Sequence, residues 1–175
     1  MSNIQSQILA DTSSLFDKEV IQNNLRGLFA EIMVNNLLGP DWRHYGVDWA
    51  GWDLEHESGA RLEVKQSAKR QTWGKSLTSP RFSIRAAHHH YDSNDQYVAN
   101  DERLRLADIY VFAWHDGSDQ RNPYQWQFYA IAAKDLPKDQ ASIGLRPLRS
   151  LVDPTSANEL RPAVQAILDR NSFSH

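Results

Sequence analysis

Hydrophobic and polar residues alternate with period two from Trp52 to Gln66, the pattern of two paired β-strands. Trp52, Leu54 and His56 fall on one side of the first strand, and Asp53, Glu55 and Glu57 on the other. Ser58-Gly59 supplies the turn. A three-residue loop over Glu57-Ser58-Gly59 gives Gly59 the left-handed position that such loops need. On the return strand Leu62, Val64 and Gln66 share one face, and Arg61, Glu63 and Lys65 share the opposite face. That register sets Glu55 against Arg61 and Asp53 across from Glu63.

The same reading extends in both directions. Residues 1–12 are polar and read as a loose tail. Ser14, with Asp17 three residues on, reads as the N-cap of a helix. Its apolar positions Ile21, Leu25, Leu28, Phe29 and Ile32 recur at helical spacing, and Gly39-Pro40 ends it after Leu38. Trp42 to Ala50 reads as a first strand with Tyr45, Val47 and Trp49 alternating. Arg81 to Tyr91 reads as extended and then helical. Ala107 to Trp114 is nearly continuous in apolar residues, as in a strand covered on both faces. Gln125 to Ala132 is the next strand, followed by a short edge strand near Ile143–Leu145. Ser156 to Asp169 reads as a closing helix with Leu160, Val164, Ile167 and Leu168 inside and Pro162 near its start. Helix, three strands, irregular segment, two strands and helix imply one α/β domain over residues 1–175, with a central mixed β-sheet flanked by helices.

Composition narrows the class. A chain of 175 residues with 41% hydrophobic and 10% aromatic content can bury a sizeable core. No apolar run is long enough to span a bilayer, and the N-terminus lacks the basic stretch and apolar core of a signal peptide. Zero cysteines exclude disulfides and thiolate metal sites and suit a cytoplasmic setting. The net charge of −3 does not mark a nucleic-acid binder, but its distribution is uneven. Residues 61–85 carry Arg61, Lys65, Lys69, Arg70, Lys75, Arg81 and Arg85 against one acid, Glu63. With Gln71 and Trp73 interleaved, this segment suits phosphate contacts and stacking, or else forms a solvated basic loop.

The hairpin carries the candidate chemistry. Two carboxylates at cross-strand distance repel unless a cation lies between them, which invites a hard divalent ion. Mg²⁺ takes one or two protein carboxylates and fills its remaining positions with water and phosphate oxygens. Lys65, next on the same face, can orient or deprotonate a water. The competing reading is a solvated hairpin face with an ordinary Glu-Lys pair. Glu31 lies at the border of its helical stripe, where it serves the site or is a plain surface acid.

Three other patterns are set aside or left minor. Gly74-Lys75-Ser76 imitates the end of a nucleotide-binding loop, but Lys69 stands where a glycine is required and Pro80 follows too soon. No nucleotide cofactor is expected. Asp92-Ser93-Asn94-Asp95 hints at calcium, yet Tyr97 and Arg103 occupy the positions where the loop needs Gly and Glu. His88-His89-His90 cannot all face one ion, and one of them reaching substrate is the most this cluster offers.

Asp53 followed by Glu63-Val64-Lys65 resembles the PD-(D/E)XK motif of the restriction-endonuclease-like nuclease superfamily. Trp52 stands where the motif name has Pro. The resemblance implies an αβββαβ-type core and a Mg²⁺-dependent endonuclease, with Mn²⁺ as an alternative ion and DNA as substrate. It further implies that Asp53, Glu63 and the Val64 carbonyl ligate the metal, that Lys65 serves the nucleophilic water, and that Glu31 is the helix acid of the site. Lys69, Arg70, Gln71, Trp73, Lys75, Arg81 and Arg85 are then the nucleic-acid contacts. From about residue 20 to about 150 the chain is also similar to a group of bacterial proteins with Glu-Val-Lys, a nearby Gln-x-Trp and a later Asp-x-Tyr-Val-Phe strand. A homodimer would suit cleavage of two strands. The alternatives are a non-catalytic binding module of the same fold and a nuclease acting on RNA.

Overall fold

In the computed structural model, residues 4–45, 50–91 and 96–171 are described. The central sheet has five strands in the order β1-β2-β3-β7-β8. These are β1 (Trp42–His44), β2 (Leu54–His56), β3 (Arg61–Ala68), β7 (Ile109–His115) and β8 (Trp126–Ala132). β1, β2 and β3 form an antiparallel meander, β7 runs parallel to β3, and β8 returns antiparallel. The sheet is therefore mixed, and the fold is α/β.

Alternation in the inner strands sorts two cores. Leu54, Leu62, Val64, Ile109, Val111, Phe128 and Ala130 face one side. There they meet α2 (Asn23–Leu38) and α4 (Ala157–Arg170). Tyr110, Phe112, Trp114, Tyr129 and Ile131 face the other side. That side is covered by Phe82 of β4 (Arg81–Ser83), Ile143 of β9 (Ser142–Gly144) and Leu148 of α3 (Leu145–Leu151). β4 and β9 pair antiparallel as a small second sheet. Both long helices thus lie on one face, and a two-stranded sheet with one short helix replaces the flanking helix expected on the other. β5 (Ala87–Tyr91) and β6 (Tyr97–Leu104) form a further antiparallel pair. Among the described residues the β3-to-β7 crossover contains no helix, so the αβββαβ order lacks its second helix there. The expected helical turn before Tyr91 is strand instead.

Three helix assignments differ from the sequence reading. The N-terminal residues form α1 (Ile4–Ser14), which buries none of its side chains. Ser14 closes that helix, its hydroxyl donating to the Asp11 carbonyl, and α2 begins nine residues later. On α2 the buried residues are Arg26, Ala30, Met33, Val34 and Leu38, a helical stripe rotated from the expected one. Leu28 and Ile32 are consequently 40% and 45% exposed. The rotation follows from Arg26, whose guanidinium finds acceptors on Asn23, Gln66 and Gln71 and on the Ile21 carbonyl. Burial lowers its pKa to about 10, and these acceptors are all neutral. α4 opens on a capping box in which Ser156 and Glu159 satisfy each other's end groups, and Pro162 lies inside the helix rather than in its first turn. Val47, Trp49 and the Asp92–Asp95 loop lie outside the described residues, so β1 is established only from Trp42 to His44.

Candidate metal and nucleic-acid site

The hairpin forms in the expected register. Leu54 pairs with Leu62 and Glu55 with Arg61. Gly59 closes the loop at φ 88°, donating to the His56 carbonyl, while the His56 N–H bonds Ala60. A side chain at Gly59 would be strained in this left-handed conformation. The chain bends at Asp53, whose N–H donates to Leu62 at 3.0 Å. The bend releases Trp52 from the strand alternation. Instead of sharing a face with Leu54, Trp52 joins the opposite core, with the Arg61 guanidinium 4.0 Å from its ring centroid.

The same bend positions the Asp53 carboxylate. Beyond Asp53, β2 no longer runs beside β3, and Asp53 Oδ2 accepts from the Val64 N–H at 2.7 Å. A strand residue's N–H and C=O leave on the same side. The Val64 carbonyl therefore points toward the edge at which Asp53 sits. On β3, Glu63 and Lys65 share the face opposite Leu62 and Val64, and Lys65 Nζ donates to Glu63 Oε1. Glu31 on α2 is held by His44 Nε2 at 2.9 Å.

Charge at this site is out of balance. Burial, then the charges of Glu63 and Glu31, push the Asp53 carboxyl up to about 8. Burial also raises Glu63, against the pull of Lys65. Burial alone would lower the Lys65 ammonium, but Glu63, Asp53 and Glu31 reverse this and its pKa rises. Tyr110, paired with Glu63 across β3 and β7, is raised by burial and by that carboxylate. Three carboxyl groups thus act on one ammonium in a partly buried setting.

Among the described residues, no group of three or more His, Asp or Glu side chains gathers at metal-ligand geometry. The donor set is smaller: the Asp53 carboxylate at the bend before β2, the Glu63 carboxylate on β3 and one main-chain carbonyl. These are hard oxygen donors of the number Mg²⁺ accepts from protein. Burial, and after it the neighbouring carboxylates, raise Asp53 and Glu63, and a bound cation would favour their ionised forms. The residues fit such an ion.

No protein-family model and no curated protein matches the chain.

The proposed nucleic-acid contacts divide in two. Lys69, Arg70, Trp73, Lys75, Arg81 and Arg85 are exposed, with Trp73 63% accessible. Arg70 donates to the Ser118 carbonyl, and Arg81 donates to the Ser142 hydroxyl. Gln71 stands apart, because it is buried with its amide bonded to Arg26 and to the Ala68 carbonyl. It anchors the base of the basic loop rather than reaching outward. Arg85 and His89 line a cleft of about 160 Å³ with Glu63 and Tyr110. His89 stacks on Tyr97 at 5.3 Å, and the side chains of His88 and His90 lie outside the described residues. Sequence reasoning missed His44, Tyr110 and Arg26. Each acts through a partner distant in sequence, and local periodicity carries no signal of such pairs.

Proposed function

We propose that this protein is a divalent-metal-dependent nuclease that hydrolyses DNA phosphodiester bonds. The observation that carries the reading is the grouping of charge around β3: Asp53 accepts from the Val64 N–H, Lys65 donates to Glu63, and Asp53 feels the charges of Glu63, Glu31 and Lys65. Asp53, Glu63 and the Val64 carbonyl would hold Mg²⁺ or Mn²⁺. When bound, the ion would lower the pKa of an attacking water and offset charge on the leaving oxygen. Lys65 holds its ammonium against Glu63 on the same face, where it can orient the water. Partial burial of Asp53 and Glu63 strengthens each charge interaction at the site. Glu31, fixed by His44, adds negative potential that favours cation capture. Lys69, Arg70, Lys75 and Arg85, with Trp73, supply phosphate contacts and a stacking surface outside this centre.

The experiment is incubation of the protein with plasmid, single-stranded DNA, branched DNA and RNA, each with Mg²⁺, Mn²⁺ or EDTA. Metal-dependent, EDTA-sensitive cleavage of DNA is expected. Cleavage confined to RNA would move the substrate class, and binding without turnover under every metal would leave a non-catalytic module.

A further inference from the structure

A second concentration of positive charge lies away from the hairpin. Between β4 and α3 is a pocket of about 400 Å³ whose lining includes Thr78, Ser79, Arg81, Arg146 and Arg149. Among the described residues no acid lines it. Two of the three guanidinium groups are already fixed in place. Arg81 donates through Nε and a terminal nitrogen to the Ser142 hydroxyl at 3.1 and 2.9 Å. Arg149 donates to the Tyr129 hydroxyl at 2.9 Å and to Gln127 Oε1 at 3.0 Å, while Tyr129 itself donates to Gln127. All these acceptors are neutral. Among the described residues, none of the three arginines belongs to an ion pair.

Each guanidinium has five N–H groups in a rigid fork. The bonds above leave several of them on Arg81 and Arg149 for a ligand, and Arg146 is exposed on α3. Neutral anchors hold the arginines in position without cancelling their charge. Such a set favours a planar or tetrahedral oxyanion that accepts several N–H bonds at once. Three uncompensated cations suit a dianion better than a monoanion. A phosphate monoester carries close to two charges near neutral pH, whereas an internal phosphodiester carries one.

We propose that the pocket between β4 and α3 binds a phosphate monoester through Arg81, Arg146 and Arg149. Two sources share this chemistry: the terminal phosphate of a nucleic-acid strand and a small phosphorylated metabolite. The strand end is the natural source if the nuclease reading holds, and that part of the inference rests on it. β4 and α3 pack on the sheet face that bears Glu63 and Lys65, so a strand anchored here would lie on the catalytic side.

The test is calorimetric titration of the EDTA-treated protein with inorganic phosphate, alongside Arg146→Gln. Among the described residues the Arg146 side chain donates no hydrogen bond, so this variant should keep the wild-type melting temperature. Saturable binding to one site, weakened at least tenfold in Arg146→Gln, is expected. Absence of saturable binding, or equal binding by the variant, would overturn the site. In a second arm, fluorescence anisotropy in EDTA compares oligonucleotides ending in phosphate with the same strands ending in hydroxyl. A tenfold preference for the phosphorylated end, lost in Arg146→Gln, supports the strand end. Equal affinity for both ends beside retained phosphate binding supports a small phosphate ester instead. Neither arm uses the Asp53 centre. Phosphate binding in a protein that never cleaves would remove the nuclease reading and leave the pocket standing.

Discussion

Lys65 separates metal binding from chemistry, because it touches Glu63 without supplying an oxygen to a cation. In Lys65→Ala both carboxylates remain, so calorimetry should still detect Mg²⁺ binding while cleavage falls by roughly two to four orders of magnitude. Full activity in this variant would remove the water-positioning role. A second residue gives a prediction independent of function. His115 is fully buried, with Nε2 3.0 Å from the Asp119 carbonyl and, among the described residues, no hydrogen-bond partner for Nδ1. Burial lowers its pKa from the ordinary 6.5, so the unfolded chain binds more protons than the folded one below that value. Its contribution to stability is complete above about pH 6.5 and is lost as pH falls from there through the lowered folded value. His115→Gln keeps a donor for Asp119 and cannot titrate. Urea midpoints at pH 7.5 and 5.5 should therefore fall more in wild type than in His115→Gln, and parallel falls would contradict the assignment.

At the scale of elements, the basic loop after β3 unites two kinds of residue that sequence reading had grouped. Replacing Lys69, Arg70 and Lys75 together by Ala should weaken DNA binding alike for all sequences and flatten its salt dependence. An unchanged salt slope would make these side chains ordinary surface charge. Gln71→Ala should act differently. It strips an acceptor from buried Arg26, so a loss of about 1–3 kcal/mol in stability is expected from denaturant unfolding. The hairpin was legible because its determinants are local: period two, a turn glycine, and the register that sets Glu55 against Arg61. β7, β8 and α4 were legible for the same reason. α2 was misread in phase, since apolar periodicity gave no warning that Arg26 would turn inward. Its partners Gln66 and Gln71 lie at least 40 residues away. The segment from 81 to 104 misled because its strands pair with each other or with β9, and such weakly apolar strands carry little pattern of their own.

For the whole molecule, the mixed sheet provides a partly buried surface where the charges of Glu63, Asp53 and Glu31 act on the Lys65 ammonium. Without metal this arrangement costs stability. Asp53 titrates near 8 in the fold, so the unfolded chain sheds its proton first as pH rises, and stability declines from the ordinary carboxyl range up to about pH 8. Asp53→Asn should therefore melt higher than wild type in EDTA at pH 8, by roughly 2–4 °C for each kcal/mol of relieved repulsion and desolvation. Adding Mg²⁺ should raise the wild-type melting temperature and leave the variant unmoved. Among the described residues no helix is long and apolar enough to cross a membrane, and the long helices instead spend their apolar faces on the sheet.

The most direct measurement is the rate of plasmid cleavage against Mg²⁺ concentration for EDTA-stripped wild type, with Asp53→Asn and Glu63→Gln beside it. Saturable, metal-dependent cleavage by wild type is expected, with both variants inactive at every concentration although folded. Cleavage that ignores the metal, or that survives in both variants, would contradict a catalytic centre on this hairpin.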